Sequence, residues 1–423
     1  SSGNWGYGID LWNGAKASFT GGAVSISDYQ KDYTAQTVTV RKDSSLELKN
    51  SGDVMIKAES PYGATAVVVK EHDNASLSFD NTGNVTISAA IEDPAELAGT
   101  NVVGLMIEKG QTSFSDKVNQ ANFIISGQGC DFDDSSYSVG TVAVFVQDKN
   151  AKLTVDAKEL NVNVAAAVDS QSVALKGKTY DDAYGLRTSA GSIVVGPNTK
   201  TTITVNESRG TAYGVVASGT DSKTKIAGDT SVTVAGNTAA YALFADKGGT
   251  IAVGSSGKAV SLTALGEKGV GIGMIDASGS AGTTVTLDGD TTISAANVFS
   301  GKGIIENSGN LTLHGSASQF TGQFAQTAGT TAMDTADFGG IVCINGGALN
   351  VAKTLDLSKE SNFKVNNSGS LNVAAGGSTT FGQGFLTIEG GSVTADAGNF
   401  IPDEFGAVSG AATSVVGRPL SAF

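Results

Sequence analysis

Short runs in which apolar and polar residues alternate recur along most of the chain, and each is closed by Gly, Asn, Asp or Pro. Residues 183–212 illustrate the unit: Tyr184-Gly-Leu186, Ser192-Ile-Val-Val195 and Thr202-Ile-Thr-Val205 are separated by Thr188-Ser-Ala-Gly191 and Gly196-Pro-Asn198 and followed by Asn206 to Gly210. Period-two alternation bounded by turn residues predicts half-buried strands, with Ile, Val and Leu turned inward and Thr, Ser, Asn and Lys outward. Gly and Asn supply the positive-φ corners, and Pro197 falls where no ladder hydrogen bond is lost.

The units repeat. A small residue followed by an aliphatic one stands at Gly8-Ile9, Thr37-Val38, Ala66-Val67, Gly104-Leu105, Ala143-Val144, Gly185-Leu186, Gly214-Val215, Ala242-Leu243 and Gly271-Ile272, with spacings of 29, 29, 38, 39, 42, 29, 28 and 29. A second series follows at Gly309, Gly329, Gly347, Gly369 and Gly391, spaced 20, 18, 22 and 22. Such periods with strand punctuation mean a solenoid. Three short strands per turn predict an all-β, right-handed, single-stranded parallel β-helix of about 14 coils, roughly 65 Å long at ~4.8 Å per coil. Residues 1–300 form coils of about 29 residues, 301–400 continue the helix with coils near the ~20-residue minimum, and 401–423 form an irregular tail. A set of sandwich domains would instead need antiparallel hairpins with tight Asn-Gly or Asp-Gly turns.

Tyr184, Tyr213 and Tyr241 occupy one slot in three successive coils. Their parity with Leu186, Val215 and Leu243 predicts an aromatic ladder inside the helix; the competing reading is an exposed platform that stacks sugar rings.

Three consecutive intervals exceed 29, and the added residues follow the third strand each time, at 91–100, 128–138 and 166–182. Insertions at one corner of adjacent coils project from one face. They carry Glu92, Asp93, Glu96, Asp131, Asp133, Asp134, Asp169, Asp181 and Asp182 against Lys176 and Lys178, a net −7, with Phe132, Tyr137 and Tyr180 interleaved. Loops on a rigid scaffold are common binding sites. The candidate ligand-binding residues are therefore Glu92, Asp93, Asp131, Phe132, Asp133, Asp134, Tyr137, Tyr180, Asp181 and Asp182; the bland alternative is a solvated surface without a partner. Asp131-Phe-Asp-Asp134 offers oxygen ligands of the kind Ca²⁺ prefers but lacks the spaced pattern with a Gly and a terminal Glu, so no metal site is assigned.

Composition narrows the function. The chain has 423 residues, 56 of them Gly and only 5 Pro, with a net charge of −14; its pI is about 4.6. An acidic chain without a Lys/Arg cluster argues against nucleic acid and anionic membranes as partners. No apolar run approaches 18 residues, so no transmembrane helix is expected. The start Ser1-Ser2-Gly3-Asn4 reads as a processed or excised segment. Cys130 and Cys343 lie about eight coils apart, roughly 40 Å at the strand spacing, and are expected to be free thiols.

Catalytic signatures are scarce. The two histidines, His72 and His314, lie about nine coils apart and assemble no Ser–His–Asp constellation. No His/Cys metal spacing and no phosphate loop appears, so no cofactor is expected. Asp181-Asp182 with Arg187 and Arg209 could form an acidic cleft of the kind a polysaccharide-cleaving β-helix uses, or could be ordinary turn residues.

Ala-Tyr-Gly-Leu (183–186), Ala-Tyr-Gly-Val (212–215) and Ala-Tyr-Ala-Leu (240–243), followed by Gly-x-Ile-x-Val runs, resemble the passenger region of type V secretion autotransporters of Gram-negative bacteria. Ile305-Glu-Asn-Ser-Gly-Asn-Leu-Thr-Leu313, Phe320-Thr-Gly-Gln-Phe324 and Ala328-Gly-Thr-Thr331 are similar to the glycine-threonine repeats of such passengers. The resemblance covers about residues 5–400 and implies an exported, cell-surface or secreted adhesin or self-association module without enzymatic activity. Its partner would be a host or bacterial surface glycan or protein, or a second copy. It also implies a passenger fragment, since the family's C-terminal translocator barrel is missing. Low cysteine content fits a chain threaded unfolded through an outer membrane. The alternative is a polysaccharide lyase or glycosidase working in a lateral groove.

Overall fold

The computed structural model describes residues 6–31, 33–91, 101–127, 140–166, 182–276, 282–359, 361–381, 385–395 and 415–416. These residues wind into a parallel β-helix. Each coil has three strands, and each strand pairs in parallel with its equivalent one coil away. In the sixth coil the strands are Ala183–Thr188, Gly191–Val195 and Lys200–Glu207. Among the described residues the second strands form a continuous sheet of 14, and Val415–Val416 adds a further rung to the third strands. The first and third strands join a second sheet, because Asp290–Gly301 and Ala348–Leu357 each run from a third strand directly into the next first strand. No described helix is long and apolar enough to cross a membrane.

The backbone register reproduces the repeat. Val38 pairs with Ile9 and with Val67, Leu105 with Val67 and Val144, and Leu186 with Val144 and Val215. In the later coils Leu311 pairs with Thr331, Thr331 with Leu349, Leu349 with Leu371 and Leu371 with Val393. A parallel sheet tolerates variable corner length provided each strand returns in register, since a slip of one residue would turn every apolar side chain outward.

The small–aliphatic pair has a steric cause. In the first strand both members face the core: Leu186, Val215, Leu243 and Ile272 are fully buried, and a Cβ on Gly185 would lie 2.7 Å from the Ile203 side chain and 2.5 Å from the Gly214 carbonyl oxygen. A Cβ on Gly214 would lie 2.4 Å from Val232, and one on Gly271 2.2 Å from Ile293. Two successive inward residues bend the strand. The first lies so close to the third strand that only Gly, Ala or one Thr fits there.

The core changes character along the axis. Through the long coils it is a column of Val, Leu and Ile, with the stacked pair Phe79–Phe114 at 4.5 Å. In the short coils Phe299, Phe320, Phe324, Phe338 and Phe363 take over, all fully buried with ring centroids 5.5–6.1 Å apart. A coil with fewer inward positions needs larger side chains to reach native packing density.

Candidate functional site

The bend that turns two residues inward sets their neighbours outward. Tyr184, Tyr213 and Tyr241 stand on the outer side of the bent strand, half-buried, and pair in register with one another. Their rings stack at 5.0 and 5.3 Å with interplanar angles of 6° and 9°. The interior ladder expected from parity is therefore corrected: Gly185 and Leu186 both face the core, so the parity of Tyr184 and Leu186 is broken between them.

The outer residues on the other arm of the bend meet these rings. Phe244 packs edge-on against Tyr213 and Tyr241 at 5.3 and 5.1 Å. The Arg187 guanidinium carbon lies 4.4 Å from the Tyr184 ring centroid and 4.8 Å from that of the buried Phe145. A Cβ at Gly273 would lie 2.5 Å from the Tyr241 ring, so glycine admits the ring there. The ring faces are thus covered by neighbouring rings, a guanidinium and backbone. The ladder is a small external core, and the faces a sugar would need for stacking are already occupied.

Asp182 anchors the rim of this ladder. Its Oδ1 accepts a hydrogen bond from the Thr211 amide at 2.9 Å, and its Oδ2 accepts one from the Tyr184 hydroxyl at 3.4 Å. Burial first, and the Asp182 charge second, push the Tyr213 and Tyr241 phenols above the usual tyrosine range. Asp182 is half-buried and serves to hold the start of the next coil. Of the ten residues expected in the acidic loops it is the only one within the described structure; Glu92, Asp93, Asp131, Phe132, Asp133, Asp134, Tyr137, Tyr180 and Asp181 lie outside it. Cys130 does too, while Cys343 is a half-buried free thiol on the second strand of coil 12, its pKa raised by burial.

Asp181 of the expected acidic cleft lies outside the described residues, and its other members are placed as follows. Arg187 is stacked on rings. Arg209 sits in a turn closed by the buried Glu207 carboxylate, which accepts hydrogen bonds from the Arg209 amide at 2.7 Å and the Gly210 amide at 3.0 Å. His72 Nδ1 lies 3.3 Å from Asp43 at one corner, and His314 is exposed on the third strand of coil 10. Among the described residues no group of three or more His, Cys, Asp and Glu side chains is placed to hold a metal ion.

The feature that single residues do not reveal is how charge is divided between faces. Along the third strands one outer file runs from Ser25 through Thr86, Asn161, Thr202 and Thr292 to Thr394, and none of its 14 members is ionisable. The file beside it, from Ser27 through Thr204 and Thr233 to His314, has a single charged member, Lys57, which is paired with Glu59. Asn161 donates to Asn122 at 3.0 Å and Asn372 to Asn350 at 2.8 Å, so part of the first file is an amide ladder. The two outer files of the second strands instead carry five lysines and two glutamates, a net +3 on a chain of −14. Alternation announces which residues face outward, but only the coil-to-coil register sorts them into files.

Compared with known proteins, the chain matches no family model, no curated protein and no solved structure.

Proposed function

We propose that this chain is an exported, non-enzymatic rod that acts at a bacterial cell surface by adhesion, and chiefly by associating with a second copy of itself. The observation that carries the reading is the uncharged third-strand face. A chain of net −14 repels its own copies over most of its surface, whereas two files rich in Ser, Thr and Asn, interrupted by Met55, Lys57, Ile124, His314 and Ala332, offer hydroxyl and amide groups with little formal charge. Such groups are at once donors and acceptors, so a face of this kind is complementary to itself. The repeats that resemble autotransporter passengers support export and surface display. The acidic loops of coils 3–6 are a second candidate face for a foreign partner.

Lateral-groove catalysis has less support. It calls for carboxylates about 5–10 Å apart in a concave cleft. Around the tyrosine ladder the described residues offer rings, the Arg187 guanidinium and Asp182, which already accepts two hydrogen bonds, and in the first coils the Arg41 guanidinium is ion-paired with both Asp10 and Glu71.

The test is a paired measurement of cell clumping, with the protein displayed on bacteria, and of sedimentation of the purified chain. Replacing Thr204 and Thr233 with Glu places like charges on both copies. Dispersed cells and a monomeric chain are expected. Clumping undiminished by T204E/T233E would remove this face from the mechanism.

A further inference from the structure

The second-strand face carries charge of the opposite sign to the rest of the protein, and its lysines are concentrated. In coil 7 the strand Ser222–Ile226 turns Lys223 and Lys225 outward, side by side, about 7 Å apart along the strand. Both are exposed, and neither has a salt-bridge partner among the described residues. Lys152 lies two coils away in the same file as Lys223.

An open trough of about 560 Å³ runs along the axis from Ser192 and Val194 in coil 6 past this pair. The outward hydroxyls of Thr250, Thr284 and Thr286 line it, Ala252 leaves its floor low, and Glu306 in coil 10 closes the far end. The lysine pair and Glu306 are three rungs apart, about 14 Å at the strand spacing. The trough is thus cationic near one end, hydroxylic along its length and anionic at the other.

We propose that this trough binds an acidic polysaccharide, with a uronate carboxylate set against Lys223 and Lys225 and the following sugar hydroxyls against the threonines. The site is distinct from the third-strand face and does not depend on self-association. A chain of hydroxylated rings with spaced carboxylates fits the order of groups: the Thr250 and Thr284 hydroxyls donate to the Ser222 and Gly282 carbonyls and turn their lone pairs to the sugar hydroxyls. Nucleic acid fits poorly. Its phosphates recur at every nucleotide and would fall on Glu306, and the trough has no aromatic side chain on which a base could stack. Glu306 also limits the site to a chain whose charges are not continuous.

The experiment titrates the intact protein with hyaluronate, whose carboxylates stand only on alternate sugars, with its fully methyl-esterified form and with duplex DNA. Hyaluronate is expected to bind with an affinity that falls as salt rises, and the methyl ester and DNA are expected not to bind. Lys223→Gln with Lys225→Gln should weaken binding at least tenfold, about 1.4 kcal/mol. Lys268→Gln, an exposed lysine off this face, should leave binding unchanged, and Glu306→Gln should strengthen it. These substitutions are at exposed or surface positions, and an unchanged circular dichroism spectrum confirms that each variant folds. The proposal is overturned if the intact protein does not bind hyaluronate, if the methyl ester binds as well, if K268Q weakens binding as much as the double variant, or if DNA binds more tightly.

Discussion

The corner joining the third strand to the next first strand is handled in opposite ways in two regions of the rod. Between coils 3 and 6 it is long: the chain leaves Val85–Ala90, Gln120–Ser126 and Glu159–Ala166 and returns at Asn101–Ile107, Gly140–Val146 and Ala183–Thr188. In the C-terminal third it disappears, and Asp290–Gly301 and Ala348–Leu357 carry straight through it with a register shift. Both treatments leave the stacking intact. The cross-section is therefore set by the other two corners and by the inward side chains, and the third corner is free for decoration. What differs is how the interior is filled: bent strands with paired small and aliphatic residues on one side, phenylalanines on the other.

The largest expected effect comes from the phenylalanine region. Phe324→Ala should cost about 3–5 kcal/mol. Because each coil contacts only its neighbours, hydrogen exchange should show lost protection across the short coils and retained protection in coils 6–8. Loss spread evenly over the rod would mean that the two regions are one cooperative unit. Next is the bent strand. Gly214→Val places a branched side chain where even a Cβ meets Val232, and should cost about 1–3 kcal/mol by overpacking. Gly22→Ala, whose Cβ meets nothing within 4 Å, is the neutral control. Equal melting temperatures for the two variants would refute the steric account of the small residue.

Smaller effects test the external ladder and the loops. Tyr213 and Tyr241 should ionise above the usual tyrosine range in an ultraviolet titration, and Asp182→Asn should bring both phenols down, since the Asp182 charge is one cause of their shift. A raised folded-state pKa means that the unfolded chain releases these protons first. Their contribution to stability is then constant below about pH 10 and declines as pH rises further. A decline that sets in well below pH 10 would point to other groups. The least effect is expected from deleting residues 129–138. Three residues then link Ser126 to Gly140, as residues 208–210 link Glu207 to Thr211. Stability should change by less than about 1 kcal/mol, as loop-closure entropy varies slowly with length.

The repeat made the fold legible before any coordinates, because the same spacings that recur in the sequence are the distances, in residues, between paired strands. The direction of the tyrosines was not legible by counting parity, which assumes unbroken alternation. The missing signal was present in the small–aliphatic pair: a Gly or Ala kept beside an aliphatic residue coil after coil marks two inward positions in succession. The charge division between faces was harder still. Ser222-Lys-Thr-Lys-Ile226 plainly alternates, yet nothing local says that Thr250, Thr284 and Thr286 stand beside its lysines or that Glu306 ends the file. Those neighbours are 25–83 residues away and are joined only by the winding. The acidic loops remain a matter of sequence apart from Asp182, whose carboxylate is engaged in holding the next coil.

The in-register winding also gives the rod a mechanical character. Tension applied between its ends along the axis loads the outermost coil first, and its three ladders open one after another while the coils beneath stay closed. A 29-residue coil peeled in this way releases about 100 Å of chain, and a 20-residue coil about 70 Å. A tethered rod of this build would lengthen in steps under flow and shorten again when the load falls, and the step length would report which end of the molecule is giving way.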